Sequence, residues 1–202
     1  RFASLSGGTQ QDKPKIDIEA QNLIFPQALR DAGFHAHQYV CVMPSAKWPG
    51  KKWGVDSFEA LCLGLDMPIV VLGTLQDLDS IQLFEKLKQR GVKVISGVDR
   101  WALPETIQVI HYAKFLIGND TGLVHLAEAV GTPVWVIFGP TTPSLGFGPW
   151  RTESKSLGVE LACRPCGKDG RSCHRASEPY ACLTRMRPEE AILQLKNLKG
   201  PL

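Results

Sequence analysis

The chain has 202 residues, 44% of them hydrophobic and 21% charged, enough to bury one good core and hardly two. Its formal charge of +3 is mildly basic and well short of what a nucleic-acid binder carries. No apolar run approaches the ~18 residues of a membrane span, and the opening RFASLSGGTQQDKPK has no signal-peptide core, so the expected location is cytoplasmic.

Residues 1–38 hold Gly7, Gly8, a charged patch and one amphipathic pattern near Ile18 to Ala32. Because the chain opens on Arg1 rather than Met, they are expected to be a tail and an interdomain connection, the remnant of a missing N-terminal domain. From Tyr39 onward, short β-rich runs alternate with helical patterns. Strands are expected at 39–43, 68–73, 92–96, 114–118 and 134–139, and helices at Val55 to Leu63, Leu78 to Gln89, Pro104 to Tyr112, Leu123 to Val130 and Pro188 to Leu198. The strand runs are continuously apolar, as in strands buried on both faces. Five of them separated by helices predict an α/β fold with a Rossmann-like, doubly wound parallel sheet over residues 39–202. Ligands of such sheets sit outside the carboxyl ends of the strands.

The stretch GNDTGLVHLAEAVGTPVWVIFGPTTP, residues 118–143, falls at such an end. Asn119 and Asp120 turn the chain out of a strand, and Gly122 begins a helix that Gly131 and Pro133 stop. Free backbone NH groups and the helix dipole there favour an anion, and Gly122 lets it approach closely. Thr121 adds a hydroxyl, and His125, one turn on, shares its helix face. A phosphate fits this set. Equally, Asp120 or Thr121 can simply cap the helix, and His125 can be a core histidine.

The longer run FLIGNDTGLVHLAEAVGTPVWVIFGPTTP (115–143) and PSAKWPGKKW (44–53) together resemble the glycosyltransferase family nine enzymes, the ADP-heptose:lipopolysaccharide heptosyltransferases. Asp-Thr-Gly, two residues, His, an Ala-bearing helix, Gly-x-Pro, an apolar strand and Gly-Pro-Thr-x-Pro match in order and spacing. So does a Lys two residues before a Trp. The resemblance covers about residues 39 to 198 and implies the C-terminal, donor-binding half of a two-domain GT-B enzyme. The implied reaction is inverting transfer of a heptose or related sugar from a nucleotide-diphosphate donor, ADP-heptose by resemblance, to a lipopolysaccharide-core or other lipid-linked saccharide acceptor. No cofactor is required. The catalytic base would lie in the N-terminal half, so this chain alone would bind donor without turning it over.

Carried over residue by residue, the resemblance implies that Asp120, Thr121, Gly122, Leu123 and His125 meet the diphosphate and sugar. It implies that Lys51 contacts phosphate, with Lys47 and Lys52 as neighbouring candidates, and that Ser45 is the hydroxyl of the loop before it. Asp77, or else Gln76 or Asp79, would hold the ribose, and Trp101 would stack on the adenine. The bland alternatives are a solvated Lys51, an Asp77 that caps the next helix and a Trp101 that only packs.

A second feature is CRPCGKDGRSCHRASEPYAC, whose Cys163, Cys166, Cys173 and Cys182 are spaced C-x2-C-x6-C-x8-C. The first pair has zinc-knuckle spacing and the second does not. A zinc site, a disulfide and reduced thiols all stay open here. Cys41 and Cys62, in a strand and a helix, read as packed thiols. Residues 163–187 carry six Lys or Arg and two acids. That basic segment suits a phosphorylated acceptor or the anionic inner face of the inner membrane. The rival class is a non-catalytic nucleotide-binding module or a zinc-dependent nucleic-acid binder, for which the segment has only Tyr180 as an aromatic.

Overall fold

A computed structural model describes residues 23–167 and 169–196. Six strands, β1 (Val40–Met43), β2 (Ile69–Gly73), β3 (Val94–Val98), β4 (Phe115–Asn119), β5 (Val134–Ile137) and β6 (Lys155–Leu157), form one sheet in the order β3-β2-β1-β4-β5-β6. Every pairing is parallel. Helices α1 (Gln27–Asp31), α2 (Val55–Leu65), α3 (Leu78–Gln89), α4 (Leu103–His111), α5 (Gly122–Ala129), α6 (Ala181–Thr184) and α7 (Pro188–Lys196) cover it. This is the expected Rossmann-like, doubly wound α/β architecture, and the strand order reverses between β1 and β4.

The period of two along each strand sorts the core into two layers. Val40, Val42, Ile69, Val71, Phe115, Ile117, Trp135 and Ile137 point to one face, where Phe58 and Leu61 of α2, Leu83 and Leu87 of α3 and Leu195 of α7 meet them. Cys41, Val70, Leu72, Leu116, Val134 and Val136 point to the other, under Val109 and Ile110 of α4 and Val124 and Ala127 of α5. Cys41 and Cys62 are buried in these layers, and burial pushes the Cys62 thiol up to about 12.

Strand β3 runs two residues later than its expected range. Gly97 lies inside it, with the Trp101 ring 2.8 Å from where a Cβ would be. Strand β6 had no counterpart in the sequence reading; of its three residues only Leu157 is buried. Residues 1–22 lie outside the described residues, and with them the first part of the pattern from Ile18. Within the rest of the expected tail, Leu29 and Phe34 are buried against Tyr39 and Val109 in the second core layer, so residues 26–34 pack as part of the domain. Among the described residues no helix is long and apolar enough to cross a membrane.

Candidate donor-binding site

The reversal of strand order leaves a crevice where the loops after β1 and β4 part. Asn119, the last residue of β4 and fully buried, bridges it. Its Nδ2 donates to the Pro44 carbonyl at 2.6 Å, and its Oδ1 accepts from the Trp53 backbone NH at 3.3 Å. The loop after β1 is thereby tied to the end of β4 at both sides of a 3-10 turn, Pro49–Lys51. The indole NH of Trp53 is held in turn by the Met186 carbonyl at 2.9 Å.

On this frame Lys51 and Asp120 meet. The Lys51 Nζ donates to Asp120 Oδ2 at 2.6 Å and to the Asp120 carbonyl at 3.3 Å. The same Oδ2 accepts from Thr141 Oγ1 at 2.8 Å. Asp120 and Thr141 are buried, whereas the Lys51 side chain keeps 15% of its surface exposed. A carboxylate with two donors on one oxygen, one of them a cation, is a strong and well-defined anchor. It aims the lysine at the crevice and neutralises it while no other anion is there. Asp120 is thus neither a cap nor a free base. Thr141 was not singled out from the sequence; the hydroxyl in the Gly-Pro-Thr run was its only trace.

Beside this pair α5 begins. Thr121 stands at its N-cap in extended conformation and makes no side-chain capping bond. Its hydroxyl oxygen is buried and has no hydrogen-bond partner. That is costly inside a protein and marks a place prepared for an acceptor. A Cβ on Gly122 would meet no atom within 4 Å, so the first residue of α5 is open on its side-chain face. Lys51, held on Asp120, and the Thr121 hydroxyl thus stand beside the start of α5, the kind of helix end that favours an anion.

The loop after β5 brings two aromatic rings to the same place. Phe147, 37% exposed, lies 5.8 Å from the Lys51 ammonium. Trp150 stacks on His125 with ring centroids 6.1 Å apart and planes 5° off parallel. Buried Glu128, on α5, accepts the backbone NH groups of Trp150 and Arg151 at 3.0 Å each and so anchors this loop to the helix that carries His125. Leu123 is half-buried on the same first turn.

Other expected residues are engaged elsewhere. The Ser45 hydroxyl is buried 3.0 Å from Ser80 Oγ, which donates to the Leu72 carbonyl. Asp77 precedes α3, and its carboxylate takes both the backbone NH and the hydroxyl of Thr74, at 2.8 and 3.0 Å, closing its own loop. Asp79 pairs with Lys52 at 2.8 Å. Trp101 packs on Gly97, and its ring carries the Arg100 guanidinium at 5.3 Å. These residues stand along the same carboxyl edge of the sheet, on the β2 and β3 side.

In the cysteine segment, all four thiols are free, and among the described residues no three His, Cys, Asp or Glu are gathered closely enough to hold a metal ion. The segment's two acids hold three of its arginines, Arg171 with Asp169 at 2.6 Å, and Arg185 and Arg175 with Glu178. Arg164 donates to the carbonyls of Phe138, Thr141 and Val159.

The sequence pattern described as glycosyltransferase family 9 (heptosyltransferase) matches residues 3–176. Lipooligosaccharide heptosyltransferase 2 of Campylobacter jejuni is 28% identical over 153 residues, 73% of this chain and 46% of the relative. Lipopolysaccharide heptosyltransferase 1 of Pseudomonas aeruginosa is 30% identical over 126 residues, 54% of this chain and 35% of the relative. The solved E. coli ADP-heptose lps heptosyltransferase II has a TM-score of 0.69 at 17% identity, over 91% of this chain and 52% of that one. The chain thus spans about half the length of these proteins. It belongs to glycosyltransferase family 9, the heptosyltransferase family.

Proposed function

We propose that this chain is the donor-binding part of an inverting glycosyltransferase that moves a heptose or related sugar from a nucleotide diphosphate, ADP-heptose first, to a lipopolysaccharide-core or lipid-linked saccharide. The observation that carries this reading is that Lys51, bound to Asp120, stands next to the unpartnered Thr121 hydroxyl and the uncapped start of α5 at the carboxyl end of β4. A diphosphate leaving from an anomeric carbon gains negative charge, and donors fixed before the reaction stabilise it without reorganising. Lys51 supplies the cation, so the step asks for no metal. Asp120, held by Lys51 and Thr141, has no oxygen lone pair poised as a base at Oδ2. Deprotonation of the acceptor hydroxyl is assigned to the acceptor-side half that the family resemblance implies. The enzyme would work in the cytoplasm, at the inner face of the inner membrane where a lipid-linked acceptor is presented.

Calorimetric titration of this chain with ADP, an ADP-sugar and adenosine tests the reading. ADP binds more tightly than adenosine, and Lys51→Ala removes that difference. Folded protein that binds none of the three sinks the proposal.

A further inference from the structure

Beyond the contacts of Arg164 and Met186 described above, the cysteine-rich segment also meets the lysine turn directly, backbone to backbone. Gly50, the middle residue of the Pro49–Lys51 turn, donates its NH to the Gly170 carbonyl at 3.0 Å. A Cβ on Gly50 would lie 2.6 Å from that same oxygen and 3.1 Å from the Tyr180 ring. A Cβ on Gly139 would run into the Gly50 carbonyl and come within 3.0 Å of Leu183. Gly170 itself has φ of +70°, and a Cβ there would sit 3.1 Å from Pro140 Cγ and 3.2 Å from Lys51 Cγ. Three backbones from the loops after β1 and β5 and from the cysteine segment therefore meet at a junction with no room for side chains. Arg171, the next residue, lays its guanidinium 4.5 Å over the ring of Trp48, the residue before the turn.

Both halves of the Lys51–Asp120 pair refer to this junction. Gly50 adjoins Lys51, and Gly139 lies two residues before Thr141, which holds the Asp120 carboxylate. We infer that the segment around Gly170 and Arg171 positions Lys51 for the donor diphosphate, so that Gly170 is a positioning residue acting through the lysine. The inference rests on the donor-site reading. It gives the cysteine segment a role that depends neither on a metal nor on a nucleic acid.

Two readouts on the full chain test it. In Gly170→Ala the methyl group meets Pro140 and Lys51 and the backbone is strained at positive φ. ADP affinity then falls about five-fold or more, adenosine affinity stays within about two-fold, and on a Lys51→Ala background the substitution costs nothing further. Arg171→Gln, at a side chain two-thirds exposed, repeats the pattern more weakly without endangering the fold. The second readout needs no nucleotide: the rate at which a water-soluble acylating reagent labels the Lys51 amine, followed by mass spectrometry with Lys47 and Lys52 as internal references. Labelling rises in both variants as the ammonium drifts from Asp120. Losses of ADP affinity that add to those of Lys51→Ala, or an unchanged Lys51 labelling rate, overturn the inference while leaving the donor site standing. If wild type binds no ADP but labelling still rises, the donor reading falls and the positioning of Lys51 stands.

Discussion

Lys51 and Asp120, 69 residues apart in sequence, meet at 2.6 Å across the gap between β1 and β4. The pair is mostly buried, and removing one partner strands the other's charge away from water. Asp120→Ala is therefore expected to lower the unfolding free energy by about 3 kcal/mol, read from denaturant midpoints. The double variant Lys51→Ala/Asp120→Ala loses less than the sum of the single losses. Additive losses would show that the two side chains do not depend on each other.

Thr141 is the second donor on the same carboxylate oxygen. Thr141→Val keeps the shape and deletes the hydroxyl, which is expected to cost about 1 kcal/mol of stability and to weaken ADP binding several-fold. Thr141→Ser restores both. Equal behaviour of the Val and Ser variants in calorimetry would place the hydroxyl outside the site's machinery.

Asn119 offers a donor and an acceptor in one fully buried group. In Asn119→Asp the donor to the Pro44 carbonyl is replaced by an oxygen that repels it, so a near-isosteric change is expected to cost about 2–3 kcal/mol. Chemical denaturation at neutral pH measures this, and a loss below about 1 kcal/mol would mean that the loop after β1 is held by other contacts.

The parts of the fold that follow from local pattern were legible in the sequence. Apolar runs bounded by Gly, Pro and Asp marked β1, β2, β4 and β5, and helical spacing marked α2 to α5. Strand β6 escaped because one buried Leu157 between polar neighbours carries no periodicity. Helix α6, inside the cysteine segment, is a single turn. At the site, Lys51 and the Asp-Thr-Gly run could be named from motif spacing. The use of Asp120 could not, since its partners arrive from 69 and 21 residues away. Asn119 and Thr141 were invisible as site residues for the same reason: a buried polar side chain at the end of an apolar run declares its importance only through distant partners. Ser45 shows the converse, a hydroxyl in the expected loop that faces α3 instead.

Glu128 anchors the loop that carries Phe147 and Trp150 by accepting two backbone NH groups. In Glu128→Ala those amides lose their acceptor, and hydrogen exchange at Trp150 and Arg151 is expected to speed up by more than ten-fold, corresponding to about 1.4 kcal/mol of lost local protection. Amides within β4 serve as the control and stay unchanged. Unaltered exchange at the two positions would show that the loop is fixed elsewhere.

Glu59 on α2 is bound by Lys86 of α3 at 2.7 Å and by Arg90, just after that helix, at 3.1 Å. The Lys86 hydrogen bond, with help from Arg90, holds its carboxyl below the ordinary range despite opposing burial. A depressed folded-state pKa contributes stability that is present above the unfolded value, about 4.3, and disappears as pH falls through the folded one. Glu59→Gln should thus melt earlier than wild type at pH 7, with the gap closing below about pH 4. A gap independent of pH would assign the loss to packing rather than to charge.

The indole of Trp53 hangs from the carbonyl of Met186, 133 residues later, and α7 beyond it packs on α2. During synthesis, a chain that has emerged through residue 150 already holds Lys51, Asp120, Thr121 and Thr141. It still lacks Gly170 beneath the lysine turn and Met186 behind Trp53. The frame around the Lys51–Asp120 pair is thus built from both ends of the domain, and its last supports lie well beyond the strands that carry the pair.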